Sequence, residues 1–189
     1  MPRPHAPTRR RWIEAGLATT AFGFTASLQA QDAADKPKPA APGEFDAATP
    51  LGRLNDGNAL TLGELHPRAV VVCFWASWCP HCRNELVALE RVQKSVAPEQ
   101  LRVVMVNTEA SADWRRIRRQ LEGQLSVLLT NDAAGDVGRA FASPNSVPYT
   151  VVIGRDGVVQ HRLRGWSEES LPGLVDGINK ALAARPRAS

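Results

Sequence analysis

Val70-Val71-Val72-Cys73-Phe74-Trp75-Ala76-Ser77-Trp78-Cys79-Pro80-His81-Cys82 begins as an apolar run and ends in a pair of cysteines. The run is rich in β-branched and aromatic residues, which is how a strand buried on both faces reads. The sequence after Cys82 has helical spacing, so the cysteines stand at a strand-to-helix junction. Cys79 falls at the helix start, where unpaired backbone N–H groups and the positive end of the helix dipole favour a thiolate. Pro80 suits the first helical turn, because its missing N–H would have had no partner there. Cys82 lies one turn on, close enough to close a small disulfide ring. Cys79 is therefore expected to be the exposed, more acidic thiol and Cys82 the buried one.

Other uses of these cysteines fit less well. Zinc would need a second pair at a suitable spacing, and only Cys73 remains, inside the strand. Haem attachment needs a histidine directly after the second cysteine, and that position is Arg83. A purely structural disulfide across so short a loop would remove little unfolded-state entropy. A peroxidase would be expected to carry Pro-x-x-x-Thr-x-x-Cys, which is missing. A periplasmic copper-binding or metallochaperone module, holding Cu(I) with Cys79, Cys82 and His81, is the alternative of a different class. The chain has only two methionines and no Met-rich tract to support it.

Phe74-Trp75-Ala76-Ser77-Trp78-Cys79-Pro80-His81-Cys82 resembles the active-site segment of thioredoxin-fold proteins, and most closely that of the exported TlpA/ResA-like thiol–disulfide oxidoreductases. The resemblance runs from about Leu51 to Leu182. It implies an α/β thioredoxin fold: a mixed central sheet, helices on both faces and an added N-terminal β-hairpin. It also implies dithiol–disulfide exchange with protein substrates, no bound cofactor, no metal, and a membrane redox partner that recycles the site. In such proteins a cis-proline faces the disulfide just before the last hairpin. Val147-Pro148 matches that place, with an ordinary trans turn, or Pro144, as the competing readings. A glutamate three residues beyond the second cysteine is also shared, and here it is Glu85. Helical spacing puts Glu85 on the same face as Cys82 and one turn deeper, where a partly buried carboxyl would suit proton transfer. An exposed helical glutamate is the plainer reading.

Two features depart from that pattern. Cys73 stands where thioredoxins carry a buried aspartate; it reads as an inert buried thiol that over-oxidation could trap, and it leaves Glu85 as the acid. Cys79-Pro80-His81-Cys82 with Val147 before the proline resembles the DsbA-type oxidants instead. His81 beside the helix start would favour the thiolate and make the disulfide more oxidising, unless it is simply solvated. DsbA proteins insert a helical domain for which the space between Val96 and Pro148 has no room. Trp78 is expected to shield the site.

Outward from this centre, Leu51–Leu54 and Asn58–Leu62 flank Asn55-Asp56-Gly57, a hairpin signal. Leu86, Leu89 and Val92 give the helix after the cysteines an apolar face, and Pro98 follows its end. Leu101–Val106 reads as a second buried strand, Ala112–Leu121 as a helix, Leu125–Leu129 as a short strand and Asp136–Phe141 as a short helix. Tyr149–Ile153 and Val158–Leu163 form a hairpin around Arg155-Asp156-Gly157, and Leu171–Leu182 is a final amphipathic helix. Arg115, Arg116, Arg118 and Arg119 form either a solvated face or a docking patch for an acidic partner.

The 189 residues carry a formal net charge of +4 and are 43% hydrophobic. The excess charge lies mostly in residues 1–30, with Arg3, Arg9, Arg10 and Arg11 against Glu14. The remainder is near neutral, which gives no case for nucleic-acid binding. Thr8-Arg9-Arg10-Arg11-Trp12-Ile13, followed by a weakly hydrophobic stretch, resembles a twin-arginine export signal with cleavage after Ala30. A Sec signal or an uncleaved anchor is the competing reading. Gln31–Glu44, rich in Pro and Ala, reads as a disordered linker. The folded domain is expected over residues 45–185, as a monomer exported to the periplasm and soluble after cleavage.

Overall fold

The computed structural model describes residues 44–65 and 67–185. The expected export signal and almost all of the expected linker, residues 1–43, lie outside the described residues. Chain order is β1 (Pro50–Arg53), β2 (Ala59–Thr61), β3 (Ala69–Trp75), α1 (Pro80–Ser95), β4 (Leu101–Asn107), α2 (Ser111–Leu121), β5 (Leu128–Asn131), α3 (Asp136–Ala140), β6 (Tyr149–Gly154), β7 (Val159–Arg164) and α4 (Leu171–Ala183). One mixed sheet holds all the strands in the order β2-β1-β5-β4-β3-β6-β7. The fold is thioredoxin-like, and the expected N-terminal hairpin joins the sheet through an antiparallel contact of β1 with β5.

β3 is an interior strand of the sheet, and every one of its residues is buried. It runs parallel to β4 along its whole length and antiparallel to β6. Alternation sends Val71, Cys73 and Trp75 to one face, where they pack with Leu89 of α1, Trp114 of α2 and Leu174 of α4. Val70, Val72 and Phe74 go to the other, with Phe45, Phe141 and Tyr149. The helices divide unevenly. The crossovers β3-α1-β4 and β4-α2-β5 step in the same direction, and right-handed connection then puts α1 and α2 on one face. Of the described α-helices, the short α3 alone contributes to the opposite cluster, through Val137 and Ala140.

β5 begins at Leu128 rather than near Leu125. Glu90 of α1 takes the N–H groups of Ser126 and Val127, at 2.9 and 3.2 Å, so these residues do not enter the ladder. Each hairpin turn has glycine at its bend. At Gly157 (φ +76°) a Cβ would stand 2.0 Å from the Phe45 carbonyl oxygen, so only glycine lets the entering chain lie against the β6–β7 turn. Phe45 N–H donates to the Gly157 carbonyl at 2.8 Å, which ties Phe45 to the β6–β7 turn.

Candidate active site

β3 and β4 end side by side, with Trp75 opposite Asn107. In parallel sheets ligands gather beyond the carboxyl ends of the strands, and here that end carries the cysteines. Cys79 is the N-cap of α1 and Pro80 its first residue. Cys79 and Cys82 form a disulfide, with Cα atoms 5.3 Å apart. The backbone N–H of Cys82 donates to Cys79 Sγ at 3.1 Å. That donor and the helix start are the local features that stabilise negative charge on Cys79 once the bond opens.

Cys79 is 4% exposed and Cys82 fully buried. The order is the expected one, but Cys79 is far less open than its place at a helix start suggested. Its sulfur lies 3.7 Å from the carbonyl oxygen of Val147, on the loop that crosses in front of it. The Val147–Pro148 peptide bond is cis, Val147 is half-buried and Pro148 buried. Trp78 is 70% exposed and stands at the mouth of a cleft of about 590 Å³, bounded also by Thr108, Arg139, Ser143, Asn145 and Val147. Pro80 and His81 are exposed on the first turn of α1.

Glu85 is fully buried, beneath the pair and one turn along α1. Its Oε1 accepts from the Thr150 hydroxyl at 2.5 Å, while Oε2 has no hydrogen-bond partner. Burial pushes the carboxyl up to about 7, against the opposing effect of the Thr150 hydroxyl and the Cys73 thiol. Cys73, also fully buried, is pushed well above the ordinary thiol range by burial and then by the Glu85 charge. The strand thiol, the carboxyl and the cysteine pair thus form one buried group. Among the described residues no set of three or more His, Cys, Asp and Glu side chains is arranged to hold a metal ion.

Two parts of the site were not found by reading the sequence. Thr150 is one; its signal is a single polar residue in the apolar run Tyr149–Ile153, two positions past Pro148. The other is a bracket behind the cysteine loop. Glu109 accepts from Ser77 N–H at 2.6 Å, from the Ser77 hydroxyl at 2.9 Å and from the Asn107 amide at 2.9 Å. The Asn131 amide donates to the Glu109 carbonyl at 2.9 Å. Burial alone would raise the Glu109 carboxyl; the Ser77 and Asn107 donors and the Arg116 charge outweigh it and hold the group ionised. Its signal was the polar run Asn107-Thr108-Glu109 at the carboxyl end of a buried strand. In α2, Trp114 and Ile117 face the core, Arg115, Arg116 and Arg119 are exposed, and Arg118 donates to the Asn55 carbonyl.

A family model described as the AhpC/TSA family matches residues 40–162. The thioredoxin-like protein YneN of Bacillus subtilis is 32% identical over 106 residues, covering 55% of this chain and 61% of YneN, so the match spans less than two thirds of that relative. The thiol:disulfide interchange protein DsbE of Allochromatium vinosum is 28% identical over 145 residues, covering 73% of this chain and 74% of that protein. Among solved structures, a thiol:disulfide interchange protein DsbE from Chlorobium tepidum superposes with a TM-score of 0.63 at 22% identity, covering 75% of this chain and 99% of the other.

Proposed function

The chain belongs to the AhpC/TSA family, and from that premise we propose that it is a thiol–disulfide oxidoreductase that exchanges the Cys79–Cys82 pair with protein substrates. The observation that carries the reading is a disulfide capping α1 with the buried Glu85 carboxyl directly beneath it. In the reduced protein the Cys79 thiolate attacks a substrate disulfide. A Cys79–substrate bond forms, the substrate S–S bond breaks, and one substrate thiolate leaves to take a proton from water. Cys82 passes its proton to the Glu85 carboxylate, and the Cys82 thiolate attacks Cys79 Sγ. The second substrate thiolate is expelled as the Cys79–Cys82 bond forms. Two electrons have moved from the pair to the substrate; the reverse sequence oxidises a substrate dithiol. Glu85 holds the proton in the oxidised state and returns it when Cys82 leaves as a thiol.

The Val147–Pro148 edge would pair with substrate backbone, and Trp78 and the cleft beside it would seat the flanking residues. The subtype we propose is TlpA/ResA-like, exported to the periplasm by residues 1–30 and recycled by a membrane redox partner. No helix among the described residues is long and apolar enough to cross a membrane. His81 and Val147 tune the pair in a DsbA-like direction.

A trapping experiment tests the exchange reading. Incubated with a disulfide-bonded protein, the reduced Cys82→Ser variant is expected to accumulate a mixed disulfide through Cys79, and the Cys79→Ser variant none. If no adduct forms and the reduced wild type instead binds Cu(I) stoichiometrically without exchange, the metallochaperone reading replaces this one.

A further inference from the structure

Cys73 and Thr150 stand opposite each other in the β3–β6 ladder. Both point to the face on which α1 lowers Glu85 onto the sheet, and all three side chains are fully buried. The Thr150 hydroxyl is committed to Glu85 Oε1 at 2.5 Å. The Cys73 thiol reaches the Phe74 carbonyl at a distant 3.9 Å. Glu85 Oε2 is left without a partner. Neither strand residue belongs to the cysteine motif, and neither touches solvent.

We propose that Thr150 is a positioning residue, the strand-borne donor that holds the Glu85 carboxyl for proton exchange with Cys82, with the Cys73 thiol opposite it in the ladder as the neighbouring side chain that shapes the same pocket. The inference rests on the reading of Glu85 as the group that takes the Cys82 proton.

A carboxylate in a dry pocket must find donors or take a proton. Thr150 supplies one strong donor and so fixes which oxygen is occupied, leaving Oε2 as the atom free to carry the proton. Cys73, opposite Thr150 in the ladder, is the polar neighbour that shares the pocket. It stays a thiol, because burial and the neighbouring carboxylate both oppose its ionisation. The titratable groups facing Glu85 are therefore Cys73 from β3 and, on its own helix, the Cys79–Cys82 pair. From β6 comes Thr150, and α2 and α4 bring apolar side chains such as Trp114 and Leu174 to the same cluster. With no cation in that set, the pocket tolerates one negative charge. Transfer of a proton from Cys82 to Glu85 moves that charge by one side chain and adds none. The Thr150 donor on Glu85 then decides at which pH the carboxylate is present to receive the proton.

A carbon-13 NMR titration of the Glu85 carboxyl in the oxidised protein reads this directly. The pH profile of disulfide reduction by dithiothreitol reads its consequence. Thr150→Val is expected to raise the carboxyl midpoint by roughly one pH unit, tenfold in the protonation equilibrium. Cys73→Ala should raise it by less. Cys73→Ser, which puts a hydroxyl in the same place, should lower it and guards against a packing effect of the alanine. The reduction profile should move in the same order. An unchanged midpoint in Thr150→Val overturns the inference. Midpoints that move while the reduction profile stays fixed overturn the reading of Glu85 as the proton carrier, and the inference with it.

Discussion

Helix α1 buries two glutamates and treats them in opposite ways. Glu85 is fully buried with one oxygen unpartnered, and its carboxyl is pushed up to about 7, chiefly by burial. Glu90, 8% exposed, accepts from Ser126 N–H at 2.9 Å on both oxygens and from Val127 N–H, and pairs with Lys94 at 3.1 Å. Burial acts on Glu90 too, yet these donors outweigh it and hold the carboxyl below its ordinary range. Depth of burial and the number of donors together therefore fix a carboxyl's charge: Glu85 lies deeper and has fewer of them. Glu90 is a staple between α1 and the entry to β5. Glu85 is kept short of donors, an arrangement that costs stability whenever it ionises and that suits a group meant to gain and lose a proton.

The largest expected effect separates the two positions by chemistry. Positioned general acid–base groups contribute about 10²–10⁴ in rate. Glu85→Gln should slow disulfide exchange near neutral pH by roughly 100-fold, while Glu90→Gln should leave it within about twofold. Stopped-flow measurement of substrate-disulfide reduction by each reduced variant would show it. Equal slowing in both variants would break the comparison and make helix packing, not proton transfer, the reason Glu85 matters.

The next effect is on stability, and its sign differs between the two glutamates. The folded value of Glu85 is raised, so the folded state binds its proton more tightly than the unfolded chain. That contribution is fully present below the ordinary carboxylate range and is lost as pH rises through about 7. It amounts to on the order of 3 kcal/mol. Glu90 is lowered, so its contribution is present above the ordinary range and is lost as pH falls through its folded value. Urea unfolding of the oxidised protein across pH would separate them. Glu85→Gln should flatten the decline in stability between about pH 5 and 8. Glu90→Gln should cost about 1–3 kcal/mol at neutral pH, and less in acid. A wild type whose decline over that window is unchanged by Glu85→Gln would show that Glu85 is not the raised carboxyl.

The same contrast marks how far the sequence could be read. β3, the cysteine pair and both hairpins were legible because their signals are local: an apolar run, a spacing of three, a glycine in a turn. The family resemblance, rather than any local signal, picked out Val147-Pro148 before β6. What escaped were contacts made through the sheet. Nothing near Glu85 in sequence announces Thr150, and nothing near Ser77 announces Glu109; strand register alone brings them together. Glu90 was not singled out, because its partners, Ser126 and Val127, lie in a stretch that local pattern assigned to a strand. The near-complete burial of Cys79 was missed for the same reason, since the Val147 loop that covers it arrives from far along the chain.

The smallest effect extends the comparison to the exposed end of the same helix. His81 sits on the first turn of α1, one residue past Pro80 and open to solvent. We propose that an imidazole there favours the Cys79 thiolate, which exists only in the reduced protein. Favouring the reduced form pulls the couple towards reduction and makes the disulfide the stronger oxidant. Water screens an exposed group far more than a buried one, so the contribution stays near ~1 kcal/mol or below. For this two-electron couple about 30 mV corresponds to ~1.4 kcal/mol. His81→Ala should therefore lower the reduction potential by some tens of millivolts at most, about 10–30 mV. The wild-type value should lie above that of thioredoxin, about −270 mV. Glu85 acts in the opposite sense: its charge, when present in the reduced protein, disfavours a nearby thiolate. Glutathione equilibrium titrations of the wild type and His81→Ala, run at one pH, isolate the histidine from that opposing charge. A variant as oxidising as the wild type, or more so, would remove His81 from the site and leave the tuning of this pair to the buried groups alone.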